Sequence, residues 1–388
     1  MEKDMIVTND IKYIGVNDRE IDLFEGQYKV PNGMAYNSYL ILDEKCAVMD
    51  TVDRKFGDGW LKNLEAALGG RTPDYLVVHH MEPDHSANIA RFLAEYPNAC
   101  VVSSDKAFVM MKQFFGDDYA SRRVVVKEGD KLPLGKHTLT FVTAPMVHWP
   151  EVIVSYDECD KVLFSADAFG KFGAWDTDED WACEARRYYF GIVGKYGMQA
   201  KKLLEKAAGL DIQIICPLHG PVLKDNLGYY LGLYNTWTSY GVESDGIVIA
   251  YTSVYGNTEK AVFALRDRLT ELGAKVVVND LARSDMAECI EDAFRYGTLV
   301  LATTTYNGDV FPVRREFLHE LTERGYQNRN VAIIENGSWA AMADKKIRGM
   351  LEGSKDIRYA KQRVSIKSAV SEENLHEIDA LAKELTEK

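Results

Sequence analysis

The sequence predicts two domains of different grammar. Residues 1–240 read as an α+β sandwich, two sheets flanked by helices, and residues 246–388 as a doubly wound parallel α/β domain. Three observations predict this. A chain of 388 residues is long enough for two cores. Its first half carries many short strands in meander order with helical patterns between them. From Gly246 onward, continuous apolar strands alternate with helices, the pattern of parallel βαβ units.

In order, the first half shows apolar β-branched runs at 39–42, 47–50, 75–78, 99–102, 139–142, 152–154 and 161–164, each short enough to be a strand. Helical spacing of apolar residues falls at about 57–69, 86–95, 105–115 and 195–208. Ser239–Asp245 reads as a short linker. Beyond it, Ile247–Ala250 is a buried strand leading through a turn to a helix from about 258 to 272, and strands follow at 275–278, 298–301 and 330–334. The sequence has no internal repeat and no low-complexity segment.

Composition excludes several classes of function. The net charge of −13, with no basic stretch, argues against nucleic-acid binding. No apolar run approaches membrane-spanning length, and Met1–Met5 is acidic without an apolar signal region, so a cytoplasmic protein without membrane association is expected. The six cysteines lie apart with no C-x-x-C pair and read as reduced thiols. A rubredoxin-type iron site or a cysteine-ligated cluster would need such pairs.

The run His79-His80-Met81-Glu82-Pro83-Asp84-His85 concentrates metal-ligand types at the end of the strand Tyr75–Val78. From His80 it reads H-x-E-x-D-H. The better-known pattern, H-x-H-x-D-H, binds zinc for hydrolysis; a carboxylate in place of the second imidazole shifts the preference toward a harder, redox-active ion. Side chains alternate along an extended chain, so His80 and Glu82 face one side and His79 the other. Asp84 and His85 are expected on a loop, with Pro83 disfavouring helix in its approach. Further donors sit where other strands end: His148 before Trp149-Pro150, Asp167 after Leu163-Phe164, and His219 after Ile214-Ile215-Cys216. Together these residues exceed what one ion takes and suit two ions sharing Asp167. His137, His319 and His376 lack such neighbours and are expected on the surface or on helix faces.

In the second half, Thr252-Ser253-Val254-Tyr255-Gly256-Asn257-Thr258 follows the first strand and opens a helix, offering hydroxyls and free N–H groups to a phosphate. Thr303-Thr304-Thr305-Tyr306-Asn307-Gly308 and Asn336-Gly337-Ser338-Trp339 follow two later strands. Hydroxyls for a phosphate and aromatics for an isoalloxazine predict an FMN site. Thr252 to Thr258, Thr303, Thr305 to Gly308 and Asn336 to Trp339 are its candidate residues.

On these motifs, with Gly33–Leu40, Ser165–Gly170 and Pro217–Gly220, the chain resembles the flavodiiron proteins (A-type flavoproteins) from end to end. The resemblance implies a metallo-β-lactamase-like αββα sandwich followed by a flavodoxin-like domain. It further implies one iron on His80, Glu82 and His148, a second on Asp84, His85 and His219, and Asp167 bridging. Tyr196 aligns with a tyrosine that lines the diiron pocket in the family. Glu25 stands near a position where some members place a histidine, and Thr303-Thr304 stand where many have Ser-Pro.

The expected function is reduction of dioxygen to water, of nitric oxide to nitrous oxide, or both, with electrons passing through FMN to the diiron pair. The resemblance implies a head-to-tail homodimer or dimer of dimers. The expected donor is a separate rubredoxin or flavin-dependent reductase. Two rivals are a zinc hydrolase of the metallo-β-lactamase type with a flavodoxin-like regulatory domain, and a gas-sensing or electron-transfer module without turnover. The sequence leaves the choice between dioxygen and nitric oxide open.

Overall fold

Alternation along the short strands of the first half builds two sheets on one core. Tyr39 and Ile41, Ala47 and Met49, Leu139 and Phe141, and Val162 and Phe164 all enter the same buried cluster, so every second residue points inward from each sheet. One sheet has six strands in the order Ile11–Tyr13, Tyr39–Ile41, Ala47–Met49, Tyr75–Val77, Cys100–Ser103 and Arg123–Val125. The other has five: Lys131–Pro133, Thr138–Thr143, Ile153–Asp157, Val162–Phe164 and Ile214–Cys216. Helices Gly57–Leu68, Ile89–Glu95, Asp105–Phe115 and Gly197–Ala207 lie between strands as expected.

The register positions the site. Val162–Phe164 and Ile214–Cys216 run parallel with Phe164 opposite Cys216, so Asp167 and His219, each three residues beyond that pair, emerge at the same sheet end. His148 lies in the connection from Thr138–Thr143 to its antiparallel neighbour Ile153–Asp157, which turns at that end too.

The computed structural model describes residues 6–387; Met1–Met5, part of the basis for expecting no signal peptide, lie outside the described residues. Among the described residues, no helix is long and apolar enough to cross a membrane. Two compact units divide between Asn235 and Thr236, within the helix Leu227–Thr238 and upstream of the expected 239–245 linker. The reason is local bonding. Trp237 donates to Glu243 at 2.7 Å, and Arg329 donates to the carbonyls of Tyr240 and Gly241 at 2.8 and 2.9 Å, so these residues belong to the second unit.

That second unit is a parallel sheet in the order Val276–Asp280, Ser244–Tyr251, Tyr296–Tyr306, Asn330–Asn336, continued by Arg358–Tyr359 and Val364–Ile366. The strand order is that of a doubly wound fold. Helices Asn257–Glu271 and Glu372–Thr386 bury Ala261, Leu265, Leu269, Ile378 and Leu381 against it. The C-terminal ends of the three central strands carry the loops singled out from the sequence.

Candidate metal centre and strand-end loops

Beyond Tyr75–Val77 the chain runs without regular structure to Glu82, whose φ of −58° and ψ of 139° are those of a residue before proline. Pro83 then opens a helical turn, Pro83–Ser86. Asp84 and His85 therefore sit on a short helix rather than on a loop, because proline is pre-shaped for a first helical position. Alternation works as expected upstream: His79 turns away, its Nδ1 2.5 Å from Asp50 and its Nε2 2.8 Å from Ser155.

The metal-ligand candidates come together in two groups, His80 with Glu82, His148 and Asp167, and Asp84 with His85 and His219, donor atoms within 4.8 Å inside each group. In the first, His148 Nε2 lies 3.0 Å from Glu82 Oε2 and 3.3 Å from His80 Nε2. In the second, His85 Nε2 and His219 Nε2 are 3.0 Å apart and each is 3.3 Å from Asp84 Oδ2. Asp167 faces both. Its Oδ2 is 3.3 and 3.2 Å from His80 and His148, its Oδ1 3.5 and 3.7 Å from His85 and His219.

These spacings fit metal ions. Bonds of about 2.1 Å to N and O donors give donor–donor edges of roughly 3.0–3.5 Å in tetrahedral or octahedral shells. His80 and His219 each give the Nδ1 proton to an oxygen and so turn an Nε2 lone pair into the cluster, where a cation could take it. Both oxygens of Asp84 and of Asp167 are buried without a hydrogen-bond partner among the described residues. A buried carboxylate so placed is costly unless a cation compensates it. The donor set, mixed imidazole and carboxylate, is hard enough for iron.

Without an ion, the buried carboxylates draw positive charge from protons instead. Burial, with Glu82 and Asp167 adding to it, drives the Asp84 carboxyl up to about 7. Burial also pulls His219 below its ordinary range, leaving a neutral ring. Burial opposes the charged form of His148 too, but Asp167 and Glu82 outweigh it and lift that imidazole to about 9.

Partners that the sequence did not reveal hold the metal-ligand candidates in place. Glu151 Oε1 accepts from His80 Nδ1 at 2.7 Å and from the Met81 amide at 2.8 Å. The Ala35 carbonyl accepts from His219 Nδ1 at 2.7 Å. Glu151 immediately follows the His148-Trp149-Pro150 motif, and a carboxylate beside a ligand motif was the available signal. Aromatic rings roof the second group: Phe24 lies 5.4 Å and Tyr188 5.5 Å from the His219 ring. Phe24 belongs to the hairpin Leu23–Phe24/Tyr28–Lys29, whose tip residues Glu25 and Gly26 have φ of 50° and 69°. Glu25 lies at the exposed hairpin tip, where partial desolvation and the nearby Glu82 carboxylate raise its carboxyl to about 7.

Tyr196 stands where a 3-10 turn meets the helix Gly197–Ala207. It is half-buried at the start of the helix Gly197–Ala207, with no hydrogen bond or ring contact to the metal-ligand candidates among the described residues. Tyr188, against the His219 ring, ends the helix Trp181–Tyr188, just before a widened π turn, Tyr189–Val193. Such turns recur at functional sites, and propensity does not reveal them. His319 and His376 are exposed on helices as expected, but His137 is fully buried rather than at the surface. Its carboxylate partners, Asp157 and Asp10, are remote in sequence.

In the second unit, Gly256 (φ 84°) opens the helix Asn257–Glu271, and Ser253 Oγ accepts from the Gly256 and Glu259 amides at 3.1 and 3.3 Å. Thr252 and Thr303 are buried and turn their hydroxyls to each other at 2.6 Å, tying two strand ends together. Thr305 accepts from the Met342 amide at 2.9 Å. Asn336, also buried, donates to Thr258 and to the Ser368 carbonyl, and Ser338 meets Ser368 at 2.7 Å. Gly337 is required, since a Cβ there would lie 2.9 Å from the Ala341 backbone. Asn307 and Gly308 form a left-handed turn, at φ 52° and 72°. Tyr255 and Trp339 stand 91% and 94% exposed, apolar faces open to a flat ring.

Fold and site together define a dinuclear metal domain of the metallo-β-lactamase type joined to a flavodoxin-like domain. Residues 34–220 match the family model described as ODP family beta lactamase. The anaerobic nitric oxide reductase flavorubredoxin of Salmonella paratyphi A is 29% identical over 361 residues, 90% of this chain and 75% of that protein. The flavodiiron protein of Giardia intestinalis superposes with a TM-score of 0.89 at 25% identity, over 99% of this chain and 97% of that one. Rubredoxin oxygen:oxidoreductase of Desulfovibrio gigas gives a TM-score of 0.90 at 24% identity, over 99% and 98%. Over nearly its whole length the chain is similar to flavodiiron proteins.

Proposed function

We propose that this chain reduces dioxygen to water, nitric oxide to nitrous oxide, or both. The observation that carries the reading is Asp167, with one oxygen toward each of two mixed imidazole–carboxylate groups. His80, Glu82 and His148 would hold one iron, Asp84, His85 and His219 the other, and Asp167 both. Thr252 to Thr258, Thr303, Thr305 to Gly308 and Asn336 to Trp339 would hold FMN. When bound, the flavin supplies electrons and the iron pair supplies redox-active positions where a diatomic gas binds.

The chain's own residues do the rest. Glu151 and the Ala35 carbonyl fix the tautomers of His80 and His219, so that each presents Nε2. Phe24, Phe172 and Tyr188 wall the pocket with rings and exclude bulk water from it. Burial and the nearby carboxylates hold the Tyr188 hydroxyl in its protonated form, so it serves as a donor. Glu25, raised to about 7 near Glu82, can take up and release a proton at the rim near neutral pH, which suits reactions that consume protons.

The relatives named for rubredoxin and for nitric oxide or oxygen support a separate donor, a rubredoxin or a flavin-dependent reductase. A head-to-tail homodimer, in which the flavin of one chain faces the irons of another, is supported by the exposed Val254, Tyr255, Tyr306 and Trp339 that a partner would cover. A cytoplasmic location belongs to the same reading. The test is consumption of dioxygen and of nitric oxide, measured in parallel on protein loaded with iron and FMN and supplied with rubredoxin and its reductase. Turnover of either gas supports the proposal. Loaded protein that consumes neither overturns it.

A further inference from the structure

A different donor set gathers at the opposite end of the second sheet. His137 precedes the strand Thr138–Thr143, while Cys159 and Asp160 lie in the turn between Ile153–Asp157 and Val162–Phe164. Because these strands are antiparallel, that turn and His137 share the sheet end away from His148 and Asp167. The imidazole, the thiol and the Asp160 carboxylate place donor atoms within 4.8 Å of one another.

A second observation concerns the fully buried Asp157. Its Oδ2 lies 3.0 Å from His137 Nδ1 and accepts from the Asp160 amide at 2.8 Å. Its Oδ1 has no hydrogen-bond partner among the described residues. A carboxylate on Nδ1 turns Nε2 toward whatever lies beyond, as Glu151 does for His80. Asp10 Oδ2 lies 3.3 Å from that Nε2, and the Cys159 and Asp160 donor atoms lie within 4.8 Å of an imidazole nitrogen of the same ring. Asp10 also pairs with Lys136 at 2.7 Å, but that lysine side chain is 60% exposed and free to swing into solvent. Thr8 donates to Asp160 at 2.5 Å, which ties the segment before the first strand to the same turn.

We propose that His137, Cys159 and Asp160 form a mononuclear cation site of the zinc class, separate from the dinuclear centre, with Asp10 or a water closing the fourth position. Thiolate, imidazole and carboxylate together favour zinc or cobalt(II) over calcium or magnesium. One thiolate and one carboxylate neutralise a divalent ion, and the Cys159 thiol releases its proton to solvent as the metal binds. Such an ion would staple two hairpins and the start of the chain, so its role is structural.

Cobalt(II) titrated into the iron- and FMN-loaded protein tests this. The expected result is one additional cobalt per chain with a thiolate-to-cobalt charge-transfer band, displaced by zinc. None of the candidate ligands of the dinuclear centre is a cysteine, so the band reports this site alone and does not depend on gas reduction. Cys159→Ser should abolish the band, Cys183→Ser should leave it, and both should keep the wild-type rate of gas reduction. Asp160→Asn, at a half-buried position, should weaken cobalt binding by at least about tenfold. Absence of the band at saturating cobalt, its survival in Cys159→Ser, or undiminished affinity in Asp160→Asn overturns the proposal.

Discussion

His80 donates through Nδ1 to Glu151 Oε1 at 2.7 Å, and this bond decides which nitrogen the cluster receives. The carboxylate accepts only, so Nδ1 carries the proton and Nε2 the lone pair. Glu151→Gln keeps the volume but removes the charge. Metal affinity should fall by about 10–100-fold, read by competition with a chelator, while far-ultraviolet circular dichroism stays unchanged.

Asp167→Asn tests the shared carboxylate. Both Asp167 oxygens face imidazoles, and neither has a hydrogen-bond partner among the described residues, so the fold does not rely on them. The asparagine protein should fold, bind less than the full metal pair by elemental analysis, and lose gas reduction by at least about a hundredfold. Full metal content with unchanged turnover would remove Asp167 from the site.

Legibility in the sequence follows the range of the interactions. His80, Glu82, Asp84 and His85 could be read together because strand alternation and one proline place them within a few residues. His148, Asp167 and His219 could be read because each follows or joins a strand whose apolar run is unmistakable. Glu151 is 71 positions from His80, and its carboxylate has no local reason to be buried. His137 was misread for the same cause: Asp10 is 127 positions away. Tyr188 was not legible as a neighbour of His219 because the π turn that follows it has no residue signature. The second-unit loops were legible as loops, but the Thr252–Thr303 hydroxyl pair depends on strand order, which no local pattern shows.

Tyr188 and Tyr196 separate cleanly by substitution. Tyr188 is buried against His219 and has Asp167, Glu82 and Asp84 nearby, and burial keeps its hydroxyl protonated. Tyr188→Phe retains the ring and removes the donor. Turnover should fall by about tenfold, the value of one hydrogen bond to a charged group. Tyr196→Phe should leave turnover unchanged. Equal effects would return Tyr196 to consideration.

Lys171 is buried beside Gly220 and pairs with Glu179, which also accepts from Asn32 at 2.6 Å and from Thr177 at 3.0 Å. Burial would raise the Glu179 carboxyl, but Lys171 and these donors hold it below its ordinary 4.5. A depressed carboxyl stabilises the fold above the unfolded value and loses that contribution as pH falls through the folded one. The first unit should therefore lose stability in acid below about pH 4.5. Glu179→Gln should cost about 1–3 kcal/mol at neutral pH, where the lysine loses its counter-charge, and should flatten the acid limb of the denaturation profile. An acid limb as steep as in the wild type would show that other carboxylates govern it.

Trp339 stands 94% exposed at the end of the Asn330–Asn336 strand, so its ring contributes no packing within its own unit. Trp339→Ala should leave the melting temperature of the FMN-free protein unchanged. If the ring stacks on the isoalloxazine, its loss removes about 1–3 kcal/mol, the scale of aromatic stacking on a heterocycle, which is roughly 5–150-fold in FMN affinity. Thr252→Val provides the contrast. It breaks the 2.6 Å hydroxyl pair with Thr303, so FMN-free stability should fall along with affinity. Fluorescence titration with FMN and thermal melts of both variants separate the two effects. A Trp339→Ala protein that binds FMN like the wild type would mean that the flavin ring is held by Tyr255 or Tyr306, and that Trp339 is exposed for a partner chain instead.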